Sequence, residues 1–380
     1  MSPARDLVTG PLDPLVVVCA GGGGVGKTTT SAALALGLAR SGKRTLIVTI
    51  DPARRLAGAM GVPISDAVTL VPLASAAGRL SALMPDPRRS MRTFVDQLFE
   101  DEPDARARLL ENRIYQGLAD AAAGVHELVA LNLVARACVP GAFEVVVIDT
   151  APSRQAIDFV TYPGRLAALL GGRAVAWLAG LASRAGAQGA SEKRGGGLVA
   201  WGTGHIEHLV ARVAGPYLAR DTASLFIELS RVRERFVALT ERASKLLLGD
   251  RSAYVLVAAP TAAARDDVLF LAKRLSKLGR EPRAIVMNRA DLRPAPYVTA
   301  LRAARGLSPA LTDALAMLDD ERVSRGAAAD AMTADLAKQL RGTPIVRLPY
   351  IEAVAADEVV HALSTELEAH HATLLPAVRG

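Results

Sequence analysis

Apolar residues in this chain gather into short unbroken runs, spaced by longer stretches of helical periodicity. The runs are Leu15 to Ala20, Arg44 to Ile50, Phe143 to Ile148, Ala253 to Ala259, Arg283 to Met287 and Pro344 to Leu348. Continuous apolar runs of this length suit strands buried on both faces, as in a parallel sheet covered by helices. Thr29 to Arg40 reads as an Ala/Leu-rich helix, and Gly42 stands where a helix C-cap glycine belongs. The alternation predicts an α/β fold with a mainly parallel sheet flanked by helices.

Two long blocks do not fit the sheet. Residues near 75–140 and 155–250 read as helical, including the amphipathic stretch Thr222 to Leu248. They predict a helical subdomain inserted between strands of a single domain spanning residues 1–380. Gly, Ser, Lys and Arg cluster without periodicity between Ala185 and Gly197, which marks a break. Leu166 to Ala182 is the most apolar stretch, but Gly171, Gly172 and Arg173 interrupt it. A bilayer crossing needs about 20 apolar residues, so a buried or groove-lining helix fits better. No internal repeat is visible, which argues against a tandem duplication.

Composition narrows the function classes. A hydrophobic content of 51% and a mean hydropathy of +0.24 provide for a sizeable core. The formal charge of +7 suits an acidic ligand or an anionic membrane surface. Lys and Arg are dispersed along the chain rather than gathered in a stripe, so no nucleic-acid partner is expected. Cys19 and Cys138 sit far apart in apolar settings, as buried thiols of a reducing compartment do. There is no Cys-x-x-Cys, and the histidine pairs His205/His208 and His370/His371 read as surface residues. With no apolar signal core at the N-terminus, the expectation is a cytoplasmic protein, peripheral to a membrane at most.

The chemistry begins directly after the first strand. Gly21-Gly22-Gly23-Gly24-Val25-Gly26-Lys27-Thr28 fits the phosphate-binding pattern G-x-x-x-x-G-K-[ST] between a strand and a helix. Glycines let backbone N–H groups curl around a phosphate, and the helix N-terminus adds a favourable dipole. Gly22, Gly23, Gly24, Val25, Gly26, Lys27, Thr28 and Thr29 are therefore candidate nucleotide-binding residues. Lys27 can reach the β/γ-phosphates, and the Thr28 hydroxyl can ligate Mg²⁺. Asp149 ends a hydrophobic run and can hold the Mg²⁺ shell; capping the next helix is the alternative role. Asp51 ends the second strand before Pro52, where a carboxylate can orient attacking water near the metal. Asn288 ends a further strand and either reads an adenine edge or caps the following segment.

These segments, Thr49-Ile50-Asp51-Pro52-Ala53, Asp149-Thr150-Ala151-Pro152 and Val286-Met287-Asn288-Arg289, follow the phosphate loop in a familiar order. Over roughly residues 15–360 the chain resembles the ArsA-type ATPases, a family that includes arsenite-pump and tail-anchored-protein targeting ATPases. It looks closest to single-unit bacterial members with Asp-x-x-Pro-Ser-Arg and an Asp-Phe pair, here Asp149, Pro152, Ser153, Arg154, Asp158 and Phe159. The resemblance implies a P-loop NTPase with a deviant Walker loop, two ATP sites in a dimer, and nucleotide-driven opening and closing. It implies that Asp51 positions water and that Thr28 binds Mg²⁺ with help from Asp149. It further implies that Asn288 reads adenine and that Leu348-Pro349-Tyr350 lines the base pocket.

Three features depart from the family pattern. The signature lysine that reaches across the dimer is Gly22 here. Ser153-Arg154-Gln155 replaces the usual Thr-Gly-His, and the arsenite-binding and zinc-binding cysteines are missing. Arg154 is a candidate catalytic residue supplying the lost charge, with Arg54 and Arg55 as other candidates; pairing of Arg154 with Asp158 is the alternative. The leading expectation is a slow ATP-hydrolysing switch, a homodimer or a heterodimer with a paralogue, acting on a hydrophobic client or membrane protein. The alternatives are a nucleotide-locked partner with little turnover and a ParA- or MinD-like positioning ATPase.

Overall fold

The computed structural model describes residues 14–51, 55–73, 77–121, 132–139, 141–151, 221–222, 224–225, 227–291, 308–353 and 355–376. The chain divides into two compact units. One comprises Gly10–Asp86, Arg136–Asp158 and Leu246–Gly380, and the other Met1–Thr9, Pro87–Ala135 and Phe159–Lys245.

The first unit is built on an eight-stranded sheet. Its strands are β1 (Leu15–Gly21), β2 (Arg44–Thr49), β3 (Thr69–Val71), β4 (Arg79–Leu83), β5 (Val145–Asp149), β6 (Ser252–Ala258), β7 (Pro282–Met287) and β8 (Ile345–Arg347). They lie in the order β3-β4-β2-β5-β1-β6-β7-β8, all neighbours parallel except β3 with β4. The six apolar runs are therefore strands within one or two residues of their expected bounds. Two strands were not anticipated. Arg79–Leu83 lies in a block read as helical, where a short Leu/Ala run has no period that separates strand from helix.

Central strands are buried along their whole length: β6 from end to end, and β1 apart from Leu15. The sheet order reverses direction at β1, so its carboxyl end opens at the crevice where open α/β sheets bind ligands. Helix α1 (Lys27–Arg40) leaves from that point, and its C-terminus is closed by Ser41 and Gly42 at φ 96°. Helix α9 (Ala356–Glu368) packs along α1, where Arg40 Nη1 donates to Ser364 Oγ at 2.7 Å. That cover explains why α1 is buried on nearly every side and shows so little amphipathicity in sequence. The remaining helices of this unit are α2 (Arg55–Met60), α7 (Ala262–Lys277), α8 (Pro309–Gln339) and α10 (His371–Leu374).

The second unit has its own apolar core. Helices α3 (Pro87–Leu98), α4 (Pro103–Glu111) and α5 (Arg113–Ala121) build it: Phe94 and Leu98 of α3, Phe99 just past its end and Leu109 of α4 cluster with Leu225, Val232, Phe236 and Leu239, and Ile114 and Tyr115 of α5 pack against them. Phe236 belongs to α6 (Arg233–Leu248), and its ring meets Phe94 edge to face with centroids 5.9 Å apart. The buried Glu228 carboxylate accepts from Arg108 Nε at 2.6 Å and Nη2 at 3.3 Å. Leu225, Leu229, Val232, Phe236 and Leu239 of the stretch read as amphipathic thus face this core. The Leu166–Ala182 run, the 185–197 break and His205/His208 lie outside the described residues. Among the described residues no helix is long and apolar enough to cross a membrane.

Candidate nucleotide site

The turn after β1 is shaped by two glycines. Gly26, immediately before α1, has φ 84°, and a Cβ there would overlap the Asn288 Nδ2 atom. Gly22 is buried, and a Cβ on it would overlap Asp267 Oδ2 on α7. An L-residue with a side chain is excluded at the first position by backbone and space together. At the second it is opposed by a neighbouring carboxylate. Gly23 and Gly24 are exposed, Val25 is buried and Thr29 is half-buried.

Strand register brings the polar residues together. Asp149 ends β5 opposite Cys19 of β1 and Thr49 of β2. Its Oδ2 accepts from Thr28 Oγ1 at 2.8 Å and from Thr49 Oγ1 at 3.1 Å. Ser31 donates to its Oδ1 at 3.4 Å. Thr49 Oγ1 in turn accepts from the Asp51 backbone N–H at 3.2 Å. Asp51 is buried, with Oδ2 3.8 Å from Arg55 Nη1 at the start of α2. Thr150 is pinned to β1 by its hydroxyl, which donates to the Cys19 carbonyl at 2.9 Å.

Burial sets the electrostatics. Asp149 is fully buried, and desolvation raises its pKa against the favourable pull of Lys27, Thr28 and Thr49. Lys27 is 4% exposed, and desolvation lowers its pKa while Asp149 and Asp51 oppose that fall. An ammonium and two carboxylates therefore share a site with little water, where a bound phosphate would supply negative charge for Lys27. The Thr28 hydroxyl with the Asp149 and Asp51 carboxylates is a hard oxygen donor set of the kind Mg²⁺ takes. Burial pushes the Cys19 thiol up to about 12, so this cysteine is packing and not chemistry. Both cysteines are buried, and neither is in a disulfide.

Asn288 is on the same edge, past the end of β7. Its Nδ2 donates to the Val25 carbonyl at 3.0 Å, so part of its amide braces the phosphate loop. The segment after β7 is tied to the segment after β8, with Leu348 N donating to the Met287 carbonyl at 2.9 Å and Ala290 N to the Leu348 carbonyl at 2.8 Å. Pro349 is half-buried beside Tyr350, whose ring lies 5.0 Å from the Arg325 guanidinium. Arg54 and Arg154, with Pro52, Ala53, Pro152, Ser153, Asp158 and Phe159, lie outside the described residues.

Sequence reasoning overlooked three members of this cluster. Thr49 and Ser31 are hydroxyls inside apolar elements, a signal that a buried polar partner must be near. Asp267 sits in an ordinary amphipathic helix, and no local pattern announces its approach to Gly22. Among the described residues no group of three metal-ligating side chains (His, Cys, Asp or Glu) is present.

Residues 15–183 match the model of the ArsA ATPase family, described as anion-transporting ATPase. The chain is also 33% identical over 166 residues to the ATPase get3 of Schizosaccharomyces japonicus, covering 44% of this chain and 48% of that relative. It is 35% identical over 143 residues to the ATPase get3 of Aspergillus terreus, covering 38% and 41%. With the ATPase GET3 of Malassezia globosa the identity is 34% over 150 residues, covering 40% and 43%. The chain thus spans less than half the length of these curated relatives. Phosphate loop, strand order and this match agree: residues 15–183 of the chain are similar to the anion-transporting ATPase family, of the ArsA type.

Proposed function

We propose that the chain binds ATP with Mg²⁺ and hydrolyses it slowly, as a switch that couples nucleotide state to a partner. The observation that carries this reading is the buried cluster of Lys27, Thr28, Thr49, Asp51 and Asp149 around one phosphate loop. In this reading the backbone N–H groups of residues 22–28 cradle the phosphates, and Lys27 answers their charge. Thr28 and Asp149, with Asp51 nearby, hold Mg²⁺. When bound, that ion would supply positive charge against the negative charge that develops on the phosphates. Asp51 orients water for in-line attack, and Arg55 beside it or Arg154 supplies part of the positive charge that a trans lysine would give. Asn288 and Pro349 border the adenine. The working form is a dimer with itself or with a paralogue, located in the cytoplasm, and its partner is a hydrophobic client or a membrane protein.

Phosphate release by the full chain tests this directly. Asp51→Asn should lower the steady-state rate at least tenfold while ATP still binds; equal rates would remove the hydrolytic reading. Gly22 favours a second reading, a nucleotide-locked partner with little turnover. The space a side chain needs at that position is taken by the Asp267 carboxylate. An unchanged rate in Asp51→Asn, with ATP binding abolished by Lys27→Ala, would select it.

A further inference from the structure

The sheet has a second polar end. A cavity of about 710 Å³ opens at the amino ends of β1, β6, β7 and β8, the edge opposite the phosphate loop. Its wall carries the four arginines Arg251, Arg280, Arg283 and Arg341 against the two carboxylates Asp250 and Glu281. Strand β1 runs between the two sites, so at about 3.3 Å per residue they stand roughly 20 Å apart.

Two of the guanidiniums are fixed by neutral acceptors. Arg280 Nη2 donates to the Ser252 carbonyl at 2.6 Å, the Gly249 carbonyl at 3.2 Å and Ser252 Oγ at 3.2 Å. The nearest carboxylate to it, Asp250, lies 3.9 Å away on a fully exposed side chain. Arg283 donates from Nε to the Leu375 carbonyl at 3.0 Å and from Nη2 to the Ala372 carbonyl at 3.2 Å. Carbonyls orient a guanidinium without cancelling its charge. Arg251 and Arg341 are exposed and make no ion pair among the described residues. The hollow therefore holds two pre-oriented cations, two further cations, and a net positive charge.

We infer that this cavity is a second anion site, built for a small phosphorylated molecule. Its volume falls within the range of about 300–1,000 Å³ of small-molecule pockets. Arginine forks match phosphate oxygens in paired, charge-assisted hydrogen bonds. A concave wall at the strand ends fits a compact polyphosphate rather than an extended polyanion, which needs a basic stripe along a surface. The site is independent of the nucleotide reading, since it shares no residue with the phosphate loop.

Inorganic pyrophosphate is the probe, titrated calorimetrically into the full chain carrying Lys27→Ala, which silences the phosphate loop. A single saturable event is expected. Arg251→Ala and Arg341→Ala, both exposed, should each weaken it about tenfold, the loss of one charge-assisted hydrogen bond. Arg341→Lys should retain more affinity than Arg341→Ala. Sulfate at matched ionic strength should bind more weakly than pyrophosphate. The inference is overturned by the absence of a saturable event, by unchanged affinity in both alanine variants, by lysine doing no better than alanine, or by sulfate binding equally well. In the otherwise wild-type chain the two alanine substitutions should leave ATP affinity unchanged; a parallel fall would mean a general loss of structure and also overturn it.

Discussion

Gly22 is where a single atom decides most. The family resemblance leads one to expect a lysine there, and the fold instead sets Asp267 Oδ2 where a Cβ would go. Chain flexibility is not the reason for this glycine, since its φ is not in the left-handed range that Gly24 and Gly26 adopt. Its reason is close approach. The obstacle is the far end of one side chain, so Gly22→Ala should destabilise the chain by only about 0.5–1.5 kcal/mol, the cost of turning that carboxylate off its rotamer. In an Asp267→Ala background the same substitution should cost much less, because the obstructing carboxylate has gone. Urea unfolding of the four chains gives the coupling, and an equal cost in both backgrounds would show that the carboxylate is not the obstacle.

At the scale of elements, legibility follows burial. Strands buried on both faces announce themselves as unbroken apolar runs, and the phosphate loop announces itself because its glycines answer a geometric demand. Thus β1, β2, β5, β6, β7 and β8, with Lys27, Thr28, Asp51 and Asp149, could be read from sequence. Short edge strands such as β3 have no such run, and α1 conceals its surroundings because α9 covers the face that would otherwise be polar. Contacts made by single polar side chains across long sequence separations, as from Thr49 to Asp149 or Asp267 to Gly22, leave no local trace at all. The seam between α1 and the C-terminal helices also carries a titratable group. His371 on α10 lies against Gly37, with its Nε2 buried and without a hydrogen-bond partner among the described residues. Burial lowers its pKa below the ordinary 6.5, against the pull of Glu368 and with the help of His370. The unfolded chain then holds this proton more tightly than the folded one, so stability should fall as pH drops from about 6.5 through the lowered value. Unfolding midpoints between pH 8 and pH 5 would show that fall. His371→Leu should flatten it, and an unchanged slope in that variant would assign the effect elsewhere.

For the molecule as a whole, the division into two compact units predicts two cooperative units. Phe236 is 6% exposed within the helical unit's cluster, while every proposed nucleotide contact that is described belongs to the sheet unit. Phe236→Ala should cost about 3–5 kcal/mol in the helical unit and leave ADP affinity nearly intact. Saturating ADP should protect the sheet unit, by about 2.7 kcal/mol at one hundred times the Kd. Hydrogen exchange read by segment separates the two effects; uniform protection across residues 87–121 and the sheet would mean a single unit. Asp149 gives this division a further meaning. One of its oxygens is shared by Thr28, which opens the first helix, and Thr49, which anchors the backbone of Asp51. Two stretches of chain more than twenty residues apart thus lean on the same atom of a third. If a bound phosphate and its counterion drew Thr28 and that oxygen toward themselves, Thr49 would lose its support and the backbone carrying Asp51 would be let go. The residue proposed to aim the water would then sense the filling of the site without touching the nucleotide, as a latch senses the key through the bolt.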